Sequence, residues 1–566
     1  MKRTVISSSN AYASKRSRLD IEHDFEQYHS LNKKYYYPRP ITRTGANQFN
    51  NKSRAKPMEI VEKLQKKQKT SFENVSTVMH WFRNDLRLYD NVGLYKSVAL
   101  FQQLRQKNAK AKLYAVYVIN EDDWRAHMDS GWKLMFIMGA LKNLQQSLAE
   151  LHIPLLLWEF HTPKSSLSNT KEFVEFFKEK CMNVSSGTGT IITANIEYQT
   201  SELYRDIRLL ENEDHRLQLK YYHDSCIVAP GLITTDRGTN YSVFTPWYKK
   251  WVLYVNNYKK STSEICHLHI IEPLKYNETF ELKPFQYSLP DEFLQYIPKS
   301  KWCLPDVSEE AALSRLKDFL GTKSSKYNNE KDMLYLGGTS GLSVYITTGR
   351  IRTRLIVNQA FQSCNEQIMS KALKDNSSTQ NFIKEVAWRD FYRHCMCNWP
   401  YTSMGMPYRL DTLDIKWENN PVAFEKWCTG NTGIPIVDAI MRKLLYTGYI
   451  NNRSRMITAS FLSKNLLIDW RWGKRWFMKH LIDGDSSSNV GGWGFCSSTG
   501  IDAQPYFRVF NMDIQAKKYD PQMIFVKQWV PELISSENKR PENYPKPLVD
   551  LKHSRERALK VYKDAM

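Results

Sequence analysis

The 566-residue sequence has no apolar run as long as the roughly 18 residues that a membrane-spanning helix needs. Its nine cysteines are an odd number and, apart from Cys395 and Cys397, are scattered singly, which fits neither a zinc site nor a secreted disulfide framework. No cluster with metal-ligand spacing is found, so no metal is expected. These absences exclude an integral membrane protein and predict a soluble protein of a reducing compartment.

Acidic residues are also in deficit, with 59 Asp and Glu against 80 Lys and Arg and a net charge of +21. Such a balance favours a polyanionic partner, with nucleic acid ahead of an acidic membrane surface, although a merely soluble basic protein is the alternative. The chain is too long for one ordinary hydrophobic core, so at least two domains are expected.

The first 75 residues carry 16 basic and 7 acidic side chains with few periodic apolar positions, and we predict a disordered extension. The first 19 residues contain five basic residues, several serines and no acid, which is typical of a mitochondrial presequence. The basic run from Lys15 to Arg18 equally fits a nuclear import signal. A solvated tail that adds non-specific DNA affinity is a third interpretation, and the sequence leaves all three open.

From residue 76 to 230, short apolar runs alternate with amphipathic segments, of which Gly131–Leu151 and Ser201–Leu217 are the clearest helices. The predicted strands are Val78–Phe82, Leu113–Ile119, Pro154–Phe160, Thr190–Ile196 and Tyr221–Val228. This order predicts an α/β domain with a doubly wound parallel sheet covered on both faces. The loop after the first strand lacks a G-x-G-x-x-G motif, which disfavours a dinucleotide there, but such sheets still bind other ligands beyond the carboxyl ends of their strands.

The remaining chain divides into three parts. Residues 231–305 form a connector that contains an aromatic helix at Phe244–Tyr258 and a stretch rich in Pro and Tyr at Pro273–Pro305. Residues 306–530 are predicted to form an all-α domain, and residues 531–566 a basic C-terminal tail. No internal repeat is evident.

Two short stretches of this helical part carry polar groups of interest. Residues 339–343, with the sequence TSGLS, join two helical patterns and predict either an anion site at a helix N-terminus or an ordinary N-cap. Glu385 lies three residues before Trp388 and four before Arg389, so the three share a helical face. That face is either a surface ion pair or a slot for a base, with stacking on one side and hydrogen bonding on the other.

The segment Gly448–Phe510 places polar and charged side chains in otherwise apolar, helix-forming sequence. Such groups are costly to bury without partners, which indicates either a lined cavity or internal ion pairs. Asn452, Arg453 and Met456 are spaced to share one wall of a helix, whereas Arg455 points elsewhere and is the natural partner of Asp483 or Asp485.

Four motifs in this order resemble the photolyase and cryptochrome family of flavoproteins, most closely the class I cyclobutane pyrimidine dimer photolyases of fungal type. They are the segments Trp81–Asn91, Thr339–Arg350, Phe382–His394 and Gly448–Phe510, within a resemblance from about Thr77 to Asp520. The resemblance implies an α/β antenna domain followed by an all-α FAD-binding domain. It implies light-driven repair of pyrimidine dimers in DNA, with blue-light signalling without repair as the alternative.

The resemblance also implies a set of FAD contacts in the helical domain. They are Tyr327, Thr339, Ser340, Gly341, Leu342, Ser343, Arg455, Asp483, Gly484, Asp485 and Asn489, with Asn489 facing flavin N5. The chain departs from the family at Val344, where Pro is usual, and at Arg352, where Ser is usual. The extra arginine is expected either to tighten FAD or to face solvent.

The implied contacts to damaged DNA are Lys331, Glu385, Trp388, Arg389, Asn452, Arg453, Met456, Phe495, Arg508 and Gln515. Relatives that repair (6-4) lesions carry histidines where this chain has Asn452 and Met456, because their chemistry needs a proton donor. The resemblance therefore favours the cyclobutane-dimer branch. It implies a dimer flipped out of single- or double-stranded DNA and a monomeric enzyme in the nucleus, with the mitochondrion as a further location.

Three tryptophans match the family's chain of indoles that carries an electron to the flavin: Trp493 nearest, then Trp470 and Trp417. An antenna chromophore is expected at the first domain, where His127, Tyr198 and Gln199 match contacting positions. We favour 5,10-methenyltetrahydrofolate, with a deazaflavin as the alternative.

Overall fold

The computed structural model describes residues 40–161, 169–212, 214–260, 269–274, 281–297, 304–363, 378–534 and 541–566. The first 19 residues, on which the mitochondrial and nuclear interpretations depend, lie outside the described residues. Within them, no helix has the length and apolar character to span a bilayer.

A five-stranded, wholly parallel sheet forms the first domain, in the order β3-β2-β1-β4-β5. The strands are β1 Val75–Phe82, β2 Lys112–Asn120, β3 Leu155–Phe160, β4 Gly189–Asn195 and β5 Leu217–Tyr222. The predicted parallel sheet is confirmed, but the fifth strand begins and ends earlier than expected. The apolar residues that follow it leave the sheet because the backbone N–H groups of Ile227 and Val228 donate to the Asp390 carboxylate of the helical domain.

The helices described with the sheet are α1 Arg43–Asn50, α2 Pro57–Lys67, α3 Val92–Lys107, α4 Glu121–His127, α5 Gly131–Glu150, α6 Asn169–Val184 and α7 Thr200–Leu210. Polar side chains start several of them. Asn91, Asn120 and Ser130 each accept a hydrogen bond from a backbone N–H in the first turn of α3, α4 and α5.

Part of the N-terminal extension is folded, so the disorder predicted for residues 1–75 is wrong from α1 onward. Phe49 of α1 is buried in a small apolar cluster with Tyr401, Met404 and Met406 of the helical domain. Val61 of α2 is buried in the core over the outer side of the sheet. These few apolar residues are enough to stabilise the two helices because each packs against a surface formed by another element.

The second domain is helical, as predicted. Its described helices are α8 Phe244–Lys260, α9 Asp291–Leu294, α10 Glu309–Asp318, α11 Tyr327–Glu330, α12 Ser343–Thr347, α13 Thr353–Gln362, α14 Ser378–Asn398, α15 Pro421–Cys428, α16 Pro435–Thr447, α17 Asn452–Ser460, α18 Trp470–His480, α19 Ser486–Ser497, α20 Met512–Tyr519, α21 Ile524–Trp529 and α22 Leu551–Ala565. Single turns of π-helix follow α10 and α17, at Phe319–Lys323 and Phe461–Asn465. Short 3₁₀ turns occupy Ser324–Lys326, Pro400–Thr402, Leu410–Asp414 and Pro531–Leu533.

The predicted basic tail ends in a helix that belongs to this domain. Tyr562 of α22 is fully buried, donates its hydroxyl hydrogen to the carbonyl of Ser497 and contacts Trp417 edge-on. Arg557 donates to the carbonyl of Asn465. The tail interpretation is therefore corrected: positive charge lies on the exposed side of α22, and its apolar side closes the core.

A buried ion-pair network joins the two domains. Arg352, just before α13, contacts Asp90 at 2.7 Å and Asp224 at 3.4 Å in the first domain. Arg87, in the loop after β1, contacts the same Asp224 at 2.5 Å and donates to the carbonyl of Gly349 in the helical domain. Arg352 therefore neither faces solvent nor extends toward a phosphate. It compensates two buried carboxylates between the sheet and the helices.

Candidate functional site

Helix α14 forms the central wall of the site and is held rigidly from behind. Asp390 accepts hydrogen bonds from the backbone of Ile227 and Val228 and from the indole Nε1 of Trp251. Burial raises the pKa of Asp390 to about 6, against the lowering effect of these donors. The opposite side of this turn carries Glu385, Trp388 and Arg389.

One cluster of polar side chains lies at the start of this wall. The Lys331 ammonium contacts the Glu385 carboxylate at 2.5 Å, and both side chains are partly exposed, at 25% and 37%. Asn451 donates to the carbonyl of Lys331, which brings the start of α17 against the same segment. Glu385 thus pairs with Lys331 and not with Arg389, and both charged groups remain accessible to a ligand.

Three predicted lesion contacts of α17 lie around this cluster. Asn452 is exposed and Met456 half-buried, with the Asn452 amide 3.8 Å from the Met456 sulfur, so they share one wall as expected. Arg453 pairs with Asp332 at 2.9 Å and lies over the ring of Tyr519. The α17 wall therefore continues the polar surface formed by Lys331 and Glu385.

Trp388 is half-buried and stacks on Phe244, with ring centroids 3.6 Å apart and planes 7° from parallel. Phe391 contacts it edge-on at 5.5 Å. One face of the indole is thus covered from within the protein. Sequence reasoning missed Phe244, whose only signal was its place in an aromatic helix.

A second polar cluster lies one turn further along the same two helices. Arg455 of α17 contacts both carboxylate oxygens of Asp483 at 2.8 Å, as the sequence predicted for one of the two acids. The hydroxyl of Thr347 donates to the backbone carbonyl of Asp483 at 3.3 Å. Asp483 is buried while Arg455 is 28% exposed on its side chain, so the guanidinium extends from a buried anchor toward open space.

Asp485 is shared by two arginines of α14, Arg389 at 3.8 Å and Arg393 at 3.3 Å. Burial opposes ionisation, but Arg393 and Arg389 outweigh it and hold the pKa of Asp485 far below its usual value. Arg389 also donates to the carbonyls of Ser225 and Ile346. The prediction that Arg389 contacts DNA is therefore wrong: it points inward because its long side chain reaches this buried carboxylate.

The loop Thr339–Ser343 lies beside the second cluster. Gly341 has φ of +64°, and a Cβ there would meet the Arg315 guanidinium at 2.7 Å, so the loop needs glycine to bring its backbone this close to a cation. The Thr339 hydroxyl is 3.3 Å from that of Tyr449, which precedes the carbonyl of Ile450 that Arg455 contacts. Leu342 is buried, and Ser340 and Ser343 are half-buried.

Tyr327, the remaining predicted pocket residue, is buried against Phe319 and Phe382 and lies near the Lys331 ammonium. It therefore supports the first cluster from below. Gly484 lies between Asp483 and Asp485 and is buried. Except for Asn489, the predicted FAD residues are thus distributed around the two clusters on α14 and α17.

One donor of the inner cluster lacks an acceptor among the described residues: the buried Nε of Arg389 has no hydrogen-bond partner there. Buried polar groups are normally satisfied, so this atom calls for a polar ligand. A diphosphate- and ribityl-bearing flavin supplies acceptors for such a guanidinium, and the residues present therefore fit FAD.

Asn489 is not part of this group. It lies on the face of α19 that packs against α18, donates to the carbonyl of Lys474 at 2.8 Å and lines a cavity next to His127. The position predicted for Asn489 beside flavin N5 stays a prediction. The helical spacing that joins Asn489 to Trp493, four residues later, turns both toward α18.

The three predicted relay tryptophans all pack in or against one apolar cluster of the helical domain. Trp493 and Trp470 are buried members of it, and Trp417 is partly buried at its edge, next to Tyr562. Two of the three are thus buried and the third lies at the edge of the cluster, while the path of the electron stays a prediction.

The other predicted DNA contacts differ in exposure. Arg508 is exposed, Phe495 is half-buried against the apolar cluster, and Gln515 is half-buried on α20. Gln515 is four residues before Tyr519, whose ring lies under Arg453, so both share the face of α20 toward that arginine.

A second concave site lies at the carboxyl ends of β1, β2 and β4, between the sheet and the helices. It has an empty volume of about 920 Å³. Its lining contains five cationic and five acidic side chains: Arg83, His127, Lys133, Arg205 and Arg393, and Asp123, Asp129, Glu197, Glu202 and Asp485. Open α/β sheets bind ligands at such a position, where the strand order reverses.

His127 contacts Glu202 at 3.1 Å in this cleft. Although burial alone lowers the pKa of an imidazole, the Glu202 carboxylate outweighs it and raises the pKa of His127 to about 9. Burial by itself raises the pKa of Glu202, but His127 brings it down to about 2. The pair is therefore ionised at neutral pH.

An adjoining cavity of about 540 Å³ shares His127 and Gln199 with the cleft and adds Lys474 and Arg475, with no carboxylate among its lining residues. Burial and nearby Arg471 lower the pKa of Lys474 to about 8. Tyr198 lines neither cavity: it is buried and its hydroxyl bonds to His223. Its predicted antenna contact is wrong because it points to the opposite side of the segment from Gln199.

Two family models match the chain. One, described as DNA photolyase, matches residues 78–263, and the other, described as the FAD binding domain of DNA photolyase, matches residues 382–564. The first match contains the five strands except the start of β1, and the second contains most of α14 and all of α17 and α19.

Whole-chain relatives agree. The chain is 99% identical over 566 residues to a Saccharomyces cerevisiae protein named deoxyribodipyrimidine photo-lyase, mitochondrial, with 100% of both chains covered. It is 33% identical over 571 residues to the deoxyribodipyrimidine photo-lyase of Neurospora crassa, covering 94% of this chain and 90% of that one. The crystal structure of a bacterial class III photolyase from Agrobacterium tumefaciens is similar, with a TM-score of 0.68, 25% sequence identity and coverage of 88% of this chain and 99% of that one.

Proposed function

The chain belongs to the DNA photolyase family, and we infer that it is a deoxyribodipyrimidine photo-lyase, which uses light to repair cyclobutane pyrimidine dimers in DNA. The observation that carries this function is the pair of polar clusters on α14 and α17. One, at Lys331 and Glu385, is open to a ligand from outside, and the other, at Arg455 and Asp483, is anchored further in. Their neighbouring positions support a dimer and a flavin bound side by side.

The inner cluster holds FAD. Arg455, fixed by Asp483, and Arg389, fixed by Asp485, present guanidiniums in defined orientations, and the Thr339–Ser343 loop adds the nearby guanidinium of Arg315 at Gly341. Arg393 helps to keep Asp485 ionised, so this acid anchors Arg389 at any physiological pH. When bound, reduced FAD supplies, under light, the electron that splits the dimer.

The outer cluster holds the flipped-out dimer. Glu385 accepts hydrogen bonds from the pyrimidine N–H groups, and its contact with Lys331 orients that carboxylate. Trp388 offers a base the face that Phe244 does not cover, and Asn452 and Met456 line the facing wall. Unstacking is cheapest for a damaged base, which favours the dimer over normal pyrimidines.

DNA outside the lesion is held by charge. Exposed Arg508 and the net charge of +21 supply phosphate contacts, so we expect binding to weaken as salt concentration rises. The protein acts as a monomer on single- or double-stranded DNA in this proposal.

The sheet cleft holds an antenna chromophore, for which we propose 5,10-methenyltetrahydrofolate, with a deazaflavin as the alternative. His127 and Gln199 line both the cleft and the adjoining cavity. The buried Nε and Nη2 of Arg83 have no partner among the described residues, which supports a polar ligand there. The carboxylates of a folate suit the cavity with Lys474 and Arg475, whereas an uncharged deazaflavin does not need it.

We propose a mitochondrial location on the strength of the 99% identical relative, whose name contains that word. A nuclear share is a further proposal that rests on the basic run from Lys15 to Arg18. A fluorescent fusion of the full chain, compared with one in which these four residues are replaced by alanine, separates the two.

The function is tested with the purified holoprotein and a UV-irradiated thymine oligonucleotide, incubated in light and in darkness. The repair function predicts loss of dimers in light alone, with protein that carries flavin absorbance. Equal dimer content in light and darkness, with flavin bound, contradicts repair and favours a signalling role.

A further inference from the structure

Phe244 is the first residue of α8 and lies outside every motif that carries the family resemblance. It is buried, with 2% of its surface exposed, and its ring lies parallel to that of Trp388 at 3.6 Å. We propose that Phe244 is a positioning residue for dimer recognition: it fixes the plane of Trp388 so that the free face of the indole is set for a flipped pyrimidine. This inference rests on the proposed function.

The support behind Phe244 is itself rigid. Its backbone N–H donates to the Asp502 carboxylate at 3.2 Å, and Trp251, two turns along α8, donates to Asp390 of α14. Trp247 of the same helix donates to His394 of α14 at 3.4 Å. The helix that carries Phe244 is therefore tied to the helix that carries Trp388 at several points, so the stacked pair moves as one unit.

Stacking on one face leaves the indole little freedom. A tryptophan side chain rotates about two bonds, and a ligand that stacks on it must otherwise order both. Because Phe244 stacks on Trp388, both side-chain torsions of Trp388 are fixed before DNA binds. Contacts between aromatic rings depend on orientation beyond the area that they bury, which contacts of an aliphatic side chain of similar volume do not.

Phe391 offers a matched control in the same core. It is fully buried, and it contacts Trp388 edge-on at 5.5 Å and 82°, so it borders the indole without setting the plane of its face. Replacing either phenylalanine by leucine removes a buried aromatic ring next to Trp388. Only the Phe244 change removes the stacked partner.

The test compares Phe244→Leu, Phe244→Tyr and Phe391→Leu with the parent holoprotein. Affinity is measured by gel shift for an oligonucleotide with one thymine dimer and for the same undamaged oligonucleotide, and repair is measured under saturating light. We expect Phe244→Leu to lower the ratio of damaged to undamaged affinity about threefold to tenfold, and to raise KM with kcat unchanged. Phe244→Tyr keeps the ring and should have the parent ratio of damaged to undamaged affinity. Phe391→Leu should also have the parent ratio, even if its Tm is lowered as much as that of Phe244→Leu.

Two results overturn the proposal: a parent-like ratio in Phe244→Leu, or an equal loss of the ratio in Phe391→Leu. The second would show that any loss of core packing has the same effect. A parent protein without preference for dimer-containing DNA would overturn the proposed function as well, so the two failures are distinguishable. Flavin absorbance, unchanged in all variants, shows that the inner cluster is intact.

Discussion

The two polar sites of the molecule differ in how they are assembled. The sheet cleft is lined by residues at the carboxyl ends of β1, β2 and β4 and on the adjoining helices, with as many cations as acids, and it shares Arg393 and Asp485 with the helical site. The helical site draws on segments far apart in sequence, and at its inner cluster three guanidiniums face two carboxylates. A cleft with balanced charge suits the proposed chromophore that only absorbs light, whereas an excess of fixed cations suits a flavin diphosphate next to DNA.

The largest effect is expected from a substitution that disrupts FAD binding at the helical site. Asp483→Ala removes the anchor of Arg455, and since hydrogen bonds between charged groups contribute about 1.5–3 kcal/mol, FAD should bind roughly 10- to 100-fold more weakly. Flavin absorbance after gel filtration measures it. Asp411→Ala, which breaks an exposed pair with Arg409, is the control and should retain flavin. Full flavin content in Asp483→Ala would refute the inner cluster as the FAD site.

Trp388→Ala should have the next largest effect. Loss of stacking with the flipped base is expected to cost about 1–3 kcal/mol of affinity for dimer-containing DNA. Affinity for undamaged DNA should be unchanged, because phosphate contacts do not involve this indole. Gel shift with both oligonucleotides checks the prediction, and unaltered affinity for the damaged one would remove Trp388 from the lesion wall.

Glu385→Gln is a smaller change to the outer cluster, because it keeps the shape of the side chain and removes its charge. Lys331 loses its ionic partner, and the lesion loses a charged acceptor. We expect affinity for dimer-containing DNA to fall by about 0.5–1.5 kcal/mol. Glu556→Gln, on the exposed side of α22, serves as the control. An equal effect of both variants would mean that only net charge matters.

The smallest effect belongs to the sheet cleft. Because the pKa of His127 is raised to about 9 in the folded protein, its pair with Glu202 stabilises the fold fully below the ordinary pKa of 6.5 and loses that contribution as pH rises through 9. The parent Tm should therefore fall more steeply between pH 7 and 10 than the Tm of His127→Gln. Parallel Tm curves for the two proteins would show that the pair is not ionised.

The two sites also differ in how far sequence alone predicted them. The bounds of four strands of the sheet were predicted to within a few residues, because buried parallel strands are continuous apolar runs. The polar residues that follow these strands meet at one edge of the sheet. The sequence limited the partner of Arg455 to Asp483 or Asp485, because Arg455 was assigned to a different side of its helix from Asn452 and Met456. The structure pairs it with Asp483.

The sequence predictions that were wrong concern the direction of a side chain or burial by a distant part of the chain. Tyr198 and Gln199 were assigned together, yet neighbours in a chain point to different sides, and only Gln199 lines the cleft. Helix α1 was missed because its few apolar residues are buried by a distant part of the chain and not by their own periodicity.

The central claim is that the helical site performs the repair chemistry while the sheet cleft only collects light. An action spectrum of dimer repair tests it most directly. Holoprotein that carries both chromophores is compared with protein that retains flavin but lacks the second chromophore. If the helical site contains all the chemistry, the stripped protein repairs as many dimers per photon absorbed by flavin as before, and loses only the wavelengths that the second chromophore absorbs. Loss of repair at the flavin wavelengths as well would contradict the account.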